Sequence, residues 1–69
     1  MKEHIEHIIS LRNDEINFLQ DIWDNIKILD KRIGLKESTM EDIEIRINSK
    51  IDYLKIAIEE QNELLKNVD

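Results

Sequence analysis

Lys31-Arg32-Ile33-Gly34-Leu35-Lys36-Glu37-Ser38-Thr39-Met40-Glu41 is the stretch whose reading sets the fold. It contains the single glycine of a chain that has no proline, so it is the one place where the backbone is plainly directed to turn. Lys31 and Arg32 put positive charge where the carbonyl end of a helix favours it. Gly34 accepts the left-handed conformation that stops a helix, and Ser38-Thr39-Met40-Glu41 has the form of a capping box that starts another. These signals predict a helix over about 2–33, a turn over about 34–38 and a helix over about 39–67, forming one domain over 1–69. Connections of this length join antiparallel neighbours.

Outward from the turn, apolar residues recur every three or four positions. Ile5, Arg12, Leu19, Ile26 and Ile33 form one column, and Ile8, Glu15, Ile22 and Leu29 lie three residues further on; Ile9, Ile16 and Trp23 widen the stripe. The second half repeats the pattern with Met40, Ile47, Leu54, Gln61 and Val68, then Ile43, Lys50, Ala57 and Leu64, flanked by Ile51, Ile58 and Leu65. Both halves read as amphipathic helices, in which burial outweighs the modest helix-propensity cost of isoleucine. With the turn centred between Lys36 and Glu37, Ile33 faces Met40, Ile26 faces Ile47, Leu19 faces Leu54, Arg12 faces Gln61 and Ile5 faces Val68. The expected fold is therefore all-α, an antiparallel two-helix hairpin. Ser10 and Asn13 before Asp14-Glu15 offer a competing cap that would break the first helix near residue 12.

A single domain of 69 residues and 8.3 kDa buries too little surface to be more than marginally stable. Small scaffolds make up the deficit with disulfides, a structural metal or self-association. The sequence has no cysteine, which removes disulfides and thiolate zinc sites. Dimerisation into a four-helix bundle is the expected route.

Sixteen acidic residues against ten basic ones give a net charge of -6, which opposes direct nucleic-acid binding. The signs are mixed along the chain, and no polybasic patch marks an anionic membrane surface. Residues 2 to 7, Lys-Glu-His-Ile-Glu-His, lack the basic start and apolar run of a secretory signal. The longest apolar run, Ile56-Ala57-Ile58, falls far short of the roughly 20 residues that span a bilayer. A soluble, cytoplasmic protein is expected. Its richness in isoleucine, lysine, asparagine and glutamate points to an AT-rich bacterial or phage genome.

Few constellations support chemistry. His4 and His7, with Glu3 and Glu6, are the only candidates for metal ligation, and a solvated first helical turn accounts for them better; no metal or cofactor is expected. One glycine cannot build a phosphate loop, and an enzyme is not expected. The inward polar residues Arg12, Glu15 and Gln61 are candidates for a layer that fixes helix register. Lys50 can pack its stem near Trp23 and extend its ammonium to water. Phe18, Trp23, Ile28, Ile45, Tyr53 and Ile56 are the candidates for a partner or dimer interface, with Ile28 expected to face Ile45.

Two resemblances accompany this reading. The paired amphipathic halves around one glycine resemble small bacterial helical-hairpin proteins, including the plasmid-encoded family that dimerises into a four-helix bundle and binds RNA loops; the acidic surface departs from the RNA-binding role. Asn48-Ser49-Lys50-Ile51-Asp52 resembles the Ser-Gln-Glu-Leu-Asp motif of the sporulation-regulating aspartyl-phosphate phosphatases, keeping the aspartate and an aliphatic residue before it. That resemblance implies Asp52 as the acting residue. The leading functional expectation is a non-enzymatic interaction protein: an adaptor, antagonist or co-chaperone docking through apolar helix faces. The alternatives are an acidic inhibitor of a nucleic-acid-binding site, presenting Asp14, Asp21, Asp24, Glu59, Glu60 and Glu63, and the response-regulator phosphatase.

Overall fold

In the computed structural model, which describes residues 1–67, the chain forms two helices, α1 (Lys2–Ile33) and α2 (Glu37–Lys66). A helix of 32 residues is about 48 Å long, and the backbone measures 53 × 16 × 10 Å. The helices therefore lie side by side along their whole lengths as a hairpin. The molecule is one helix thick, a single layer rather than the two packed layers of most domains.

α1 runs without interruption through Ser10, Asn13 and Asp14, so the alternative cap there is not used. Burial of Ile5 and Ile16 on either side of that stretch holds it in one helix, where Ser10 and Asn13 are simply exposed. At its end Gly34 takes φ 67°, ψ 73° and donates its N–H to the Asp30 carbonyl at 2.8 Å. The Asp30 side chain then accepts the Leu35 N–H through Oδ1 at 2.9 Å. One residue thus satisfies two groups at the turn, and Lys31 and Arg32 stand in the last turn as expected.

α2 begins earlier than the capping box implies. Lys36 occupies the cap position, with no side-chain cap bond, and Glu37 opens the first turn. Ser38 is already inside the helix. The physical reason is the tightness of the reversal: with Gly34 left-handed and Leu35 held by Asp30, the chain is redirected by residue 36 and helical bonds resume at once, beginning with Met40 N–H to the Lys36 carbonyl. The turn is consequently centred on Leu35, not between Lys36 and Glu37. The one ion pair across the seam among the described residues, Glu15 with Lys50 at 3.9 Å, joins residues other than those the expected pairing sets opposite each other. The Ile5–Val68 rung lies outside the described residues.

The core is the seam between the helices. Ile16, Ile47, Ile51 and Leu54 form its buried cluster, and Leu19, Ile22, Trp23, Ile26, Ile43 and Ile58 pack against it partly exposed. Leu54 is 1 % exposed, the most enclosed side chain described. Ile33, at the tip, and Leu29, one turn before it, remain exposed, because one layer of helices has nothing to cover them.

Two measurements check this account. Gly34→Ala places a Cβ in open space but demands a left-handed alanine, so it should cost about 1–2 kcal/mol, whereas Ser38→Ala should change stability by less than about 0.5 kcal/mol; thermal unfolding followed by circular dichroism reads both. Leu54→Ala should cost about 2–5 kcal/mol, enough to leave most of a chain this small unfolded at 37 °C, and a cooperative melt close to the parent's would show that the seam is not the core.

Candidate protein-interaction surface

Residues three and four apart share one side of a helix. Along α1, Ile8, Leu11, Glu15, Phe18, Ile22, Asn25 and Leu29 form such a line, and along α2 the same alternation joins Ile43, Arg46, Lys50, Tyr53, Ala57, Glu60 and Leu64. The contact of Lys50 Nζ with a Glu15 carboxylate oxygen at 3.9 Å joins the two lines across the seam. They therefore flank it on the same side of the slab and make one continuous face. Lys50 also lies 5.2 Å from the centroid of the Tyr53 ring, close enough for a weak cation–π attraction.

This face is apolar and largely uncovered. Phe18 is 61 % exposed and Tyr53 58 %, and Leu11, Leu29 and Leu64 are about half exposed. Ile8, Ile22, Ile43 and Ala57 are half-buried between these residues and the seam. Isolated exposed leucines are ordinary, but an alignment of this length along both helices is not scattered exposure. Its charges are Glu15, Glu60 and, beside them in contact with Arg46 at 3.0 Å, Asp42, against Arg46 and Lys50, so they nearly balance although the chain as a whole carries -6.

The opposite side differs. Trp23 packs against the core cluster and, with Gln20, Asp24, Asn48, Asp52 and Lys55, lines an open cleft of about 430 Å³ floored by Ile47 and Ile51. Lys27 reaches Asp24 at 3.5 Å and stands 5.9 Å from the Trp23 ring centroid. Trp23 is thus on the far side from Phe18 and Tyr53, and Lys50 is on the near side, pairing with Glu15 and Tyr53 rather than packing by Trp23. Asp52 is exposed on the cleft side.

The remaining interface candidates are divided. Ile56 follows Tyr53 by one turn and borders the apolar face. Ile28 and Ile45 each stay more than half exposed on the outer sides of their helices, so the two do not oppose each other across the seam. Leu11, Leu29 and Leu64 complete the face without having been singled out beforehand; they belonged to columns whose periodicity pointed to the seam or to none. The signal that finds them is their alternating spacing with Phe18 and Tyr53, once the direction in which the helices pair is known.

The polar layer also separates. Arg12 and Gln61 are half-buried, and Arg12 Nε and Gln61 Oε1 are shielded from solvent with no hydrogen-bond partner among the described residues. Glu15 instead turns outward to Lys50. His4, His7, Glu3 and Glu6 are exposed on the first turns of α1, and among the described residues no group of three or more histidine or acidic side chains is arranged to hold a metal ion. None of the described helices is long and apolar enough to cross a membrane. Comparison of the chain with protein families, curated proteins and solved structures returns no match.

Shielded polar atoms without partners cost about 1–3 kcal/mol each. Replacing both residues, as Arg12→Met with Gln61→Leu, should therefore raise stability by about 1–3 kcal/mol in urea denaturation. A loss of similar size would mean that these side chains are paired in solution.

Proposed function

We propose that this chain is a non-enzymatic protein–protein interaction module, an adaptor, antagonist or co-chaperone of bacterial or phage type, acting through the face that carries Phe18 and Tyr53. The observation that supports this reading is the coincidence, on one side of a single-layer hairpin, of long apolar exposure and near-balance of local charge. Keeping such a face in water is unfavourable by about 25 cal/mol per Å² of apolar area, so it is the part of the surface that gains most from being covered. The two aromatic rings near its middle supply rigid contact area of the kind that dominates binding energy at interfaces.

A second reading has its own observation. With Arg46 and Lys50 offsetting most of the acidic charge of the apolar face, the rest of the surface carries most of the net negative charge, including exposed Asp14, Asp21, Asp24, Glu59 and Glu63. Such a surface would suit an inhibitor that occupies a basic, nucleic-acid-binding site on a partner protein. Salt separates the two, since charge-led association is screened within about 8 Å at physiological ionic strength and apolar docking is not.

The direct test is affinity capture from the native cell with the parent chain, with Phe18→Glu/Tyr53→Glu and with Asp52→Asn. Apolar docking predicts that the captured partner is lost with the first variant, retained with the second, and insensitive to salt from about 0.1 to 0.5 M. Capture unchanged by Phe18→Glu/Tyr53→Glu but abolished by salt would replace it with the acidic-inhibitor reading; dependence of regulator dephosphorylation on Asp52 would point instead to the phosphatase.

A further inference from the structure

A folded monomer of 8.3 kDa exposes about 4,600 Å² by the general scaling of surface with mass. This chain exposes 5500 Å². The surplus, about 900 Å², is close to the roughly 800 Å² per partner that a standard stable interface removes from water. Resting on the reading of the apolar face as a binding surface, we propose that its occupant is a second copy of this chain, the two hairpins lying face to face about a twofold axis that crosses the helices at the level of Phe18 and Tyr53.

Charge complementarity selects a copy of the chain as the occupant and sets its orientation. Two molecules of charge -6 repel one another in general, yet they can approach through this face, where Arg46 and Lys50 offset all but one charge of Glu15, Asp42 and Glu60. A twofold axis at right angles to the helices sets residues equidistant from Phe18, or from Tyr53, against one another. Arg46 and Glu60 each lie seven residues from Tyr53, so each Arg46 meets the second copy's Glu60, and the pair forms twice. Arg46 now reaches Asp42 at 3.0 Å, an exposed ion pair on its own helix that is weak enough to exchange or share. By the same operation Ile43 comes against the second copy's Leu64, while the two aromatic residues fall at the centre, where interface energy concentrates. Stacking the copies in parallel would set Glu60 near Leu11 and Arg46 near Asn25, leaving both charges without an opposite.

Assembly of this kind closes the single layer into a four-helix bundle. Sedimentation equilibrium on the full chain tests it. From about 1 to 100 μM the mass should rise from 8.3 kDa toward twice that value, following mass action. Phe18→Glu/Tyr53→Glu should remain at the monomer mass. Arg46→Glu should weaken association about tenfold or more, and Arg46→Glu/Glu60→Arg should restore it, because the reversed charges meet again only across the twofold axis. Should the aromatic variant lose its helices, the Arg46 series still decides, since both of its side chains are exposed. A constant monomer mass over the range would overturn self-association and leave the interaction reading standing, with a different protein as occupant. A dimer that persists in Phe18→Glu/Tyr53→Glu would overturn both, by locating the contact on another face.

Discussion

Burial of Leu54 and its neighbours along the seam is the interaction on which the rest of the molecule depends. Ile16 from α1 and Ile47, Ile51 and Leu54 from α2 are held out of water by one another, and no disulfide assists them. Four hydrogen bonds involve side chains among the described residues, and three of those are exposed. The ion pairs are likewise exposed or half-exposed and contribute little each. Cohesion between the helices is therefore almost entirely apolar and non-directional. A seam of that kind aligns two helices but cannot enclose either.

That limitation leaves one apolar face uncovered. A helix with a wide apolar stripe needs neighbours on both edges of the stripe, and in a hairpin it has one. The edge marked by Ile16, Trp23 and Ile51 is the better covered of the two, although an open cleft lies beside Trp23. The edge marked by Leu11, Phe18 and Tyr53 is not, and its residues remain about half exposed or more. The imbalance arises from local geometry: the three-residue reversal at Gly34-Leu35-Lys36, fixed by the two bonds of Asp30, sets the height at which α2 lies against α1. At that height Glu15 and Lys50 meet at the surface while Arg12 and Gln61 are caught inside.

Charge is distributed to match. Most acidic side chains lie away from the apolar face, which keeps the remainder of the surface well solvated and leaves this area nearly neutral. The Glu15–Lys50 contact sits in the middle of this area. It joins the two helices at the surface and, with the Lys50 ammonium near the Tyr53 ring, presents a polar group within an otherwise greasy face. A feature of that type restricts how a second surface can align, in the way that a single polar layer restricts helical assemblies.

Much of this is legible in the order of residues alone. Repetition of isoleucine and leucine at three and four positions names the inner column of each helix, and Gly34 marks the reversal, because periodic burial and left-handed backbone are properties of short segments. The early start of α2 was not legible, since Ser38-Thr39-Met40-Glu41 is locally a good cap and yields only to the tight turn that Asp30 completes from the preceding helix. Nor were the divergent fates of Arg12, Glu15 and Gln61, or the placement of Trp23 on the opposite side from Phe18 and Tyr53. A periodic pattern specifies the stripe on one helix but not which flank of its neighbour lies beside it; that depends on the direction and height of pairing, and so exists only once the two helices are packed together.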